Sequence, residues 1–132
     1  MNIHNLSVNL LTNNDHEASR IGFLLSSNNW DVSLSWSKEE CIEHIGTVPT
    51  DALIIYLDNY EIFDQGMLAD IVPSTPIVLI NHLPKNTETR NWLLTLVDSG
   101  CYLVNEVEIE KELKHSILSA VLFYRSGEMA AA

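Results

Sequence analysis

The chain has 132 residues, 46% of them hydrophobic, enough for one domain with a buried core and too few for two. Seven basic residues stand against eighteen acidic ones, and a formal net charge of −11 argues against direct contact with DNA or RNA, which would press polyanion against polyanion. The opening MNIHNLSVNLL has no basic stretch, and no segment approaches the roughly 18 apolar residues of a membrane span, so a cytoplasmic domain without membrane contact is expected.

Ser7–Thr12 (SVNLLT) reads as a short strand. After it Ala18, Ile21, Leu24 and Leu25 recur at helical spacing to about Ser27, with Asn14 or Asp15 as the cap. Asp31–Trp36 (DVSLSW) alternates strictly and puts Val32, Leu34 and Trp36 on one face, as a half-exposed edge strand does. Ser37, Lys38, Glu39 and Glu40 form a capping box for a helix that carries Cys41, Ile42 and Ile45 and should stop at Gly46. Leu53–Leu57 is continuously apolar, the signature of a central parallel strand covered on both faces.

Met67, Leu68, Ile71 and Val72 predict a short third helix stopped by Pro73. Pro76–Asn81 (PIVLIN) is a second central strand, and Thr87–Val97 is a helix with Leu93, Leu96 and Val97 on its core face. Gly100 breaks the chain, Tyr102–Val104 is a last short strand, and Glu108–Tyr124 is the longest helix. Five strands thus alternate with five helices, which implies a parallel sheet with right-handed crossovers and helices on both faces. Functional groups of such a sheet gather beyond the carboxyl ends of its strands. Those ends carry Asn13, Asn14 and Asp15, then Tyr56 to Asn59, then Asn81 and His82, and finally Asn105.

The order of elements, the doublet after the first strand, the runs DALIIY and PIVLIN, and the closing GCYLVNE before an amphipathic helix resemble the receiver domains of two-component response regulators. The resemblance covers nearly the whole chain and implies a flavodoxin-like α/β fold with strand order 2-1-3-4-5. In that family two acids after the first strand bind magnesium, an aspartate ending the third takes the phosphoryl group, a Ser or Thr ends the fourth strand and a lysine the fifth. Here the acids fall on Asn13 and Asn14, the hydroxyl on Asn81 and the lysine on Asn105. Neutral amides supply none of the charge that a hard cation or a transferred phosphoryl group needs. The phosphoacceptor position has two registers: Asp51 as the strand-opening acid puts Tyr56 there, whereas counting back from Gly66 gives Asp58.

The resemblance therefore implies a degenerate receiver over residues 1–125, with 126–132 the start of a linker or an appended tail. No enzymatic activity, no metal and no cofactor are expected; the five histidines share no ligand spacing, and Cys41 and Cys101 read as reduced structural thiols. A flavin-binding alternative would need a Gly/Ser/Thr-rich phosphate loop, and TNNDHE is a poor one. The expected role is that of a phosphorylation-independent N-terminal module of a bacterial transcriptional regulator whose output domain lies outside this chain. A residual phosphoacceptor at Asp58, a small-ligand sensor and a stand-alone protein-binding adaptor are the alternatives. Surplus apolar residues, Trp92 and Leu94 on the fourth helix and Leu118 and Leu122 on the fifth, predict a homodimer through the fourth helix, fifth strand and fifth helix. Tyr102 occupies the position where receivers often carry a switch aromatic.

Overall fold

The computed structural model describes residues 5–58, 65–71 and 74–131, with the side chains at 65, 68, 69, 106 and 125–131 excepted. Its elements are β1 (Ser7–Leu11), α1 (Asp15–Ser26), β2 (Asp31–Ser35), α2 (Lys38–Thr47), β3 (Ala52–Leu57) and α3 (Gln65–Ile71). They continue with β4 (Ile77–Asn81), α4 (Thr87–Asp98), β5 (Tyr102–Asn105), a 3₁₀ turn (Glu106–Glu108) and α5 (Ile109–Ala131). All five strands join one parallel sheet, as the alternation of elements implies, in the order β2-β1-β3-β4-β5, as the resemblance to receiver domains implies.

The two-residue period of the strands sorts the core into two layers. Val8, Leu10, Ile54, Tyr56, Val78 and Ile80 meet Ile21 and Leu25 of α1 and Leu113, Ile117 and Val121 of α5. Leu11, Leu53, Ile55, Leu57 and Leu79 face the other way, against Cys41 of α2, Met67 and Ile71 of α3, and Leu93 and Leu96 of α4. Every residue of β3 is buried, so its large side chains each contribute about 1.5–3 kcal/mol. This double covering brings five strand ends to one rim of the molecule.

Local chemistry fixes where the helices begin. Asn14 caps α1 by accepting from the Glu17 N–H, Ser37 caps α2 through the Glu40 N–H, and Asn86 caps α4 through the Thr89 N–H. At the other end of α4, Gly100 takes the left-handed conformation (φ 109°) while the Cys101 N–H closes on the Leu96 carbonyl.

Three expectations need correction. The helix α2 continues through Gly46 to Thr47, whose Oγ1 bonds back to the Glu43 and His44 carbonyls; Gly46 is exposed, where only its intrinsic cost of about 1 kcal/mol opposes the helix. Val97 is 40% exposed and lies at the rim of the α4 core stripe rather than within it. Helix α5 runs on to Ala131, beyond the expected helix end at Tyr124. The expectations for Val72, Pro73 and Asn59 fall outside the described residues.

Asn9 is a polar residue inside the apolar strand β1, and it is fully buried. Its Nδ2 donates to Ser33 Oγ (2.8 Å) and its Oδ1 accepts from Ser35 Oγ (3.0 Å), so both ends of the amide are satisfied across the β1–β2 pair. Ser33 Oγ also lies 2.9 Å from His44 Nε2, which ties α2 to the edge of the sheet.

Candidate functional site

A cleft of about 870 Å³ opens over the carboxyl ends of the last three strands, and Asp58, Asn81, His82, Lys85, Asn105 and Glu112 contribute to its lining. Register explains the grouping: Leu57 of β3 pairs with Asn81 of β4, which pairs in turn with Asn105 of β5. Asn13 and Asn14 stand at the end of β1 and are not among the described residues along this cleft.

Each strand-end amide acts mainly on its own loop. Asn81 Oδ1 accepts the Leu83 N–H (3.0 Å), and Asn105 Oδ1 accepts the Val107 N–H (3.3 Å). Asn14 Oδ1 accepts the Glu17 N–H (3.1 Å), and the Asn14 N–H itself donates to Thr12 Oγ1 (3.1 Å). Asn13 is exposed. The amide carbonyls at three positions thus close turns or cap a helix, which satisfies backbone donors that the strand ends would otherwise leave open.

The two candidates for the phosphoacceptor position have different surroundings. Tyr56 is 1% exposed and belongs to the core layer beneath α1 and α5, its ring stacked on that of His82 with centroids 5.7 Å apart and planes 23° apart. Asp58 is half-buried and lines the cleft. Asp51, the acid that set the Tyr56 register, works at the opposite end of β3: its Oδ2 accepts the Ser7 N–H (2.8 Å) and its own N–H donates to the Ser7 carbonyl (2.7 Å).

Magnesium, which the fold family would imply here, is a poor match for this donor set. It demands near-octahedral oxygen ligation with carboxylates, whereas the end of β1 offers two amides, one of them already holding the first turn of α1. Among the described residues no group of three or more His, Cys, Asp and Glu could hold a metal ion. Glu112 adds a second acid to the cleft, and its hydrogen bond and negative charge raise the pKa of neighbouring Glu108. Lys85, on the loop after β4, brings a cation to the same mouth; sequence reasoning passed it over because it lies outside the strand-end positions.

A second concavity, about 500 Å³, runs between α4 and β5 and is walled by Leu93, Leu94, Val97 and Leu103. Leu94 is 51% and Leu122 46% exposed, while Trp92, Tyr102 and Leu118 lean partly buried on the two core layers. Leu103 (43% exposed) and Phe123 (68%) extend the apolar surface of β5 and α5 beyond the residues picked out by sequence. Leu103 was legible in principle, since it alternates with the inward-facing Tyr102 and Val104. Burial raises the pKa of Tyr102, and it raises that of Tyr124 with further contributions from Cys101 and Tyr102.

No family model matches the sequence, and no curated protein does. Solved structures do match. A two-component response regulator from Clostridium difficile superposes with a TM-score of 0.70 at 14% identity, over 89% of this chain and 95% of that one. The signal receiver domain of an HD domain-containing protein from Pseudomonas fluorescens Pf-5 gives 0.78 at 14% identity, over 98% and 96%. NtrX from Brucella abortus gives 0.74 at 11% identity over 96% of this chain, which spans 29% of that one. With the strand order and layering above, these likenesses establish that the chain has the fold of a response-regulator receiver domain.

Proposed function

We propose that this domain is a regulatory receiver that works without phosphorylation, as the N-terminal module of a bacterial transcriptional regulator, through self-association and protein contacts rather than catalysis. The observation that carries the reading is the commitment of Asn14, Asn81 and Asn105 to their own loops in place of metal ligands, hydroxyl and lysine. The cleft that Asp58 lines also holds Glu112, an acid that adds to the negative charge a phosphoryl group would bring. Attachment to a larger protein accords with the similar folds found as the receiver domain of an HD domain-containing protein and within the longer NtrX chain.

The proposed dimer uses α4, β5 and α5, through Leu94 and Leu122 with Trp92, Tyr102 and Leu118 supporting them. Charge distribution favours this face. Residues 1–84 carry eleven acids against two bases, whereas residues 85–125 carry six against five, so two copies meeting here avoid most of the repulsion of a strongly acidic chain. Sedimentation with and without magnesium and a small phosphodonor tests the reading. The same self-association is expected in both conditions, and a dimer that forms only with the phosphodonor would refute it.

The placement of Asp58 and Lys85 in one cleft favours a second reading, a residual phosphoacceptor or a sensor of a small anion. Covalent modification of Asp58, or saturable binding of inorganic phosphate in the cleft, distinguishes that reading from the first.

A further inference from the structure

The sheet ends on β2, and its outer edge is open among the described residues. The Asp31 N–H donates to the Leu6 carbonyl (2.9 Å) and the Ser35 carbonyl accepts the Thr12 N–H (3.1 Å), so the backbone groups of these residues face β1. Alternation along the strand then turns the N–H and C=O groups of Val32 and Leu34 outward. The devices that usually blunt such an edge, lysine and proline within the strand, are missing from DVSLSW.

The two faces of this edge differ in chemistry. Ser33 and Ser35 lie on the α2 side, bonded to Asn9 and, through Ser33, to His44. Glu40 is exposed one turn before His44 on the same side of α2, and Asp31 is exposed at the start of the strand. On the opposite face Leu34 and Trp36 remain 43% and 42% exposed.

We propose that the β2 edge docks an extended segment of a partner protein in which apolar and basic residues alternate. Such a segment adds a sixth strand, with hydrogen bonds to the Val32 and Leu34 backbone, its apolar side chains against Leu34 and Trp36, and its cations toward Glu40 and Asp31. Charge selects this occupant over a second copy. Exposed Asp31, Glu39, Glu40 and Glu43 on β2 and α2, against the single basic residue Lys38, oppose a like surface and attract a basic one.

The test uses the whole chain and a synthetic peptide alternating lysine with valine, followed by NMR shifts and by hydrogen exchange of the Val32 and Leu34 amides. Binding with slowed exchange at those two amides is expected, together with roughly ten-fold weakening on Trp36→Ser, the loss of one apolar contact. A peptide with glutamate for lysine, and one methylated on every backbone nitrogen, should both fail to bind. Three results would overturn the proposal: no binding of the basic peptide, binding without protection of Val32 and Leu34, or equal binding of either control. Protection of the two amides that grows with protein concentration in the absence of peptide would also overturn it, by assigning the edge to a second copy.

Discussion

Asn81 and Asn105 stand side by side across β4 and β5, and each accepts the amide two residues further along its own chain. In the proposed reading these two positions replace the hydroxyl and the ammonium of an active receiver, and both side chains close their own loops. Asn81 is half-buried and Asn105 exposed, so water replaces a lost bond less readily at the first. Asn81→Ala should lower stability by about 1 kcal/mol and Asn105→Ala by less, measured by urea denaturation. Equal effects, or none at Asn81, would contradict the assignment.

The cap on α1 makes a related prediction. Asn14→Ala should cost about 1 kcal/mol, while Asn14→Asp should be close to neutral, because aspartate caps helices as well as asparagine does. Thermal melts of the two variants check the ordering. A similar loss in both would mean that the amide nitrogen, not the capping oxygen, matters.

Asn9 should behave as a member of a set. Asn9→Val leaves the Ser33 and Ser35 hydroxyls without their buried partner and is expected to cost about 1–3 kcal/mol. Changing Ser35 to Val as well should recover part of that loss, since its unsatisfied buried hydroxyl is then gone, while Ser33 keeps His44. Additive losses at Asn9 and Ser35 would show that the network is not what stabilises the β1–β2 edge.

Burial pushes the Cys41 and Cys101 thiols from 9.0 up to about 12. A raised folded-state pKa means that the native state holds its proton longer than the unfolded chain, so the stability involved is complete below pH 9.0 and is lost as pH rises toward about 12. The raised pKa values of Tyr102 and Tyr124 act in the same direction above their ordinary value of 10.0. Stability should therefore fall on the alkaline side, and both thiols should resist alkylation at pH 8 until denaturant is added. Fast alkylation of the native protein would contradict the burial argument.

Dimerisation through α4, β5 and α5 should fail when its exposed apolar residues become charged. Leu94→Glu with Leu122→Glu should give a folded monomer in sedimentation at concentrations where the wild type self-associates, because both side chains are about half exposed and the core does not depend on them. A wild type that stays monomeric at high micromolar concentration, or a folded double variant that remains dimeric, removes this interface.

Much of the fold could be read from the sequence because strand and helix periods are clean: the unbroken apolar run of β3, the capping box at Ser37 and the alternation of β2 each point to one structure. What escaped was long-range. Asn9 is explicable only once Ser33 and Ser35 lie beside it, and no local pattern announces that pairing. The choice between Tyr56 and Asp58 rested on two anchors remote from the site, Asp51 at the far end of β3 and Gly66 in α3, and neither fixes which side chain meets the cleft. Helix α5 extends past the end that its apolar pattern predicts, because that pattern fades in the sequence before the helical backbone stops.

The central claim, that the strand-end site has lost its phosphoryl chemistry, is tested most directly by intact-mass and NMR measurement after incubation with magnesium and a small phosphodonor or beryllofluoride. The account predicts an unchanged mass and unshifted resonances at Asp58, Asn81 and Tyr102. A stoichiometric, magnesium-dependent adduct on Asp58 would contradict it.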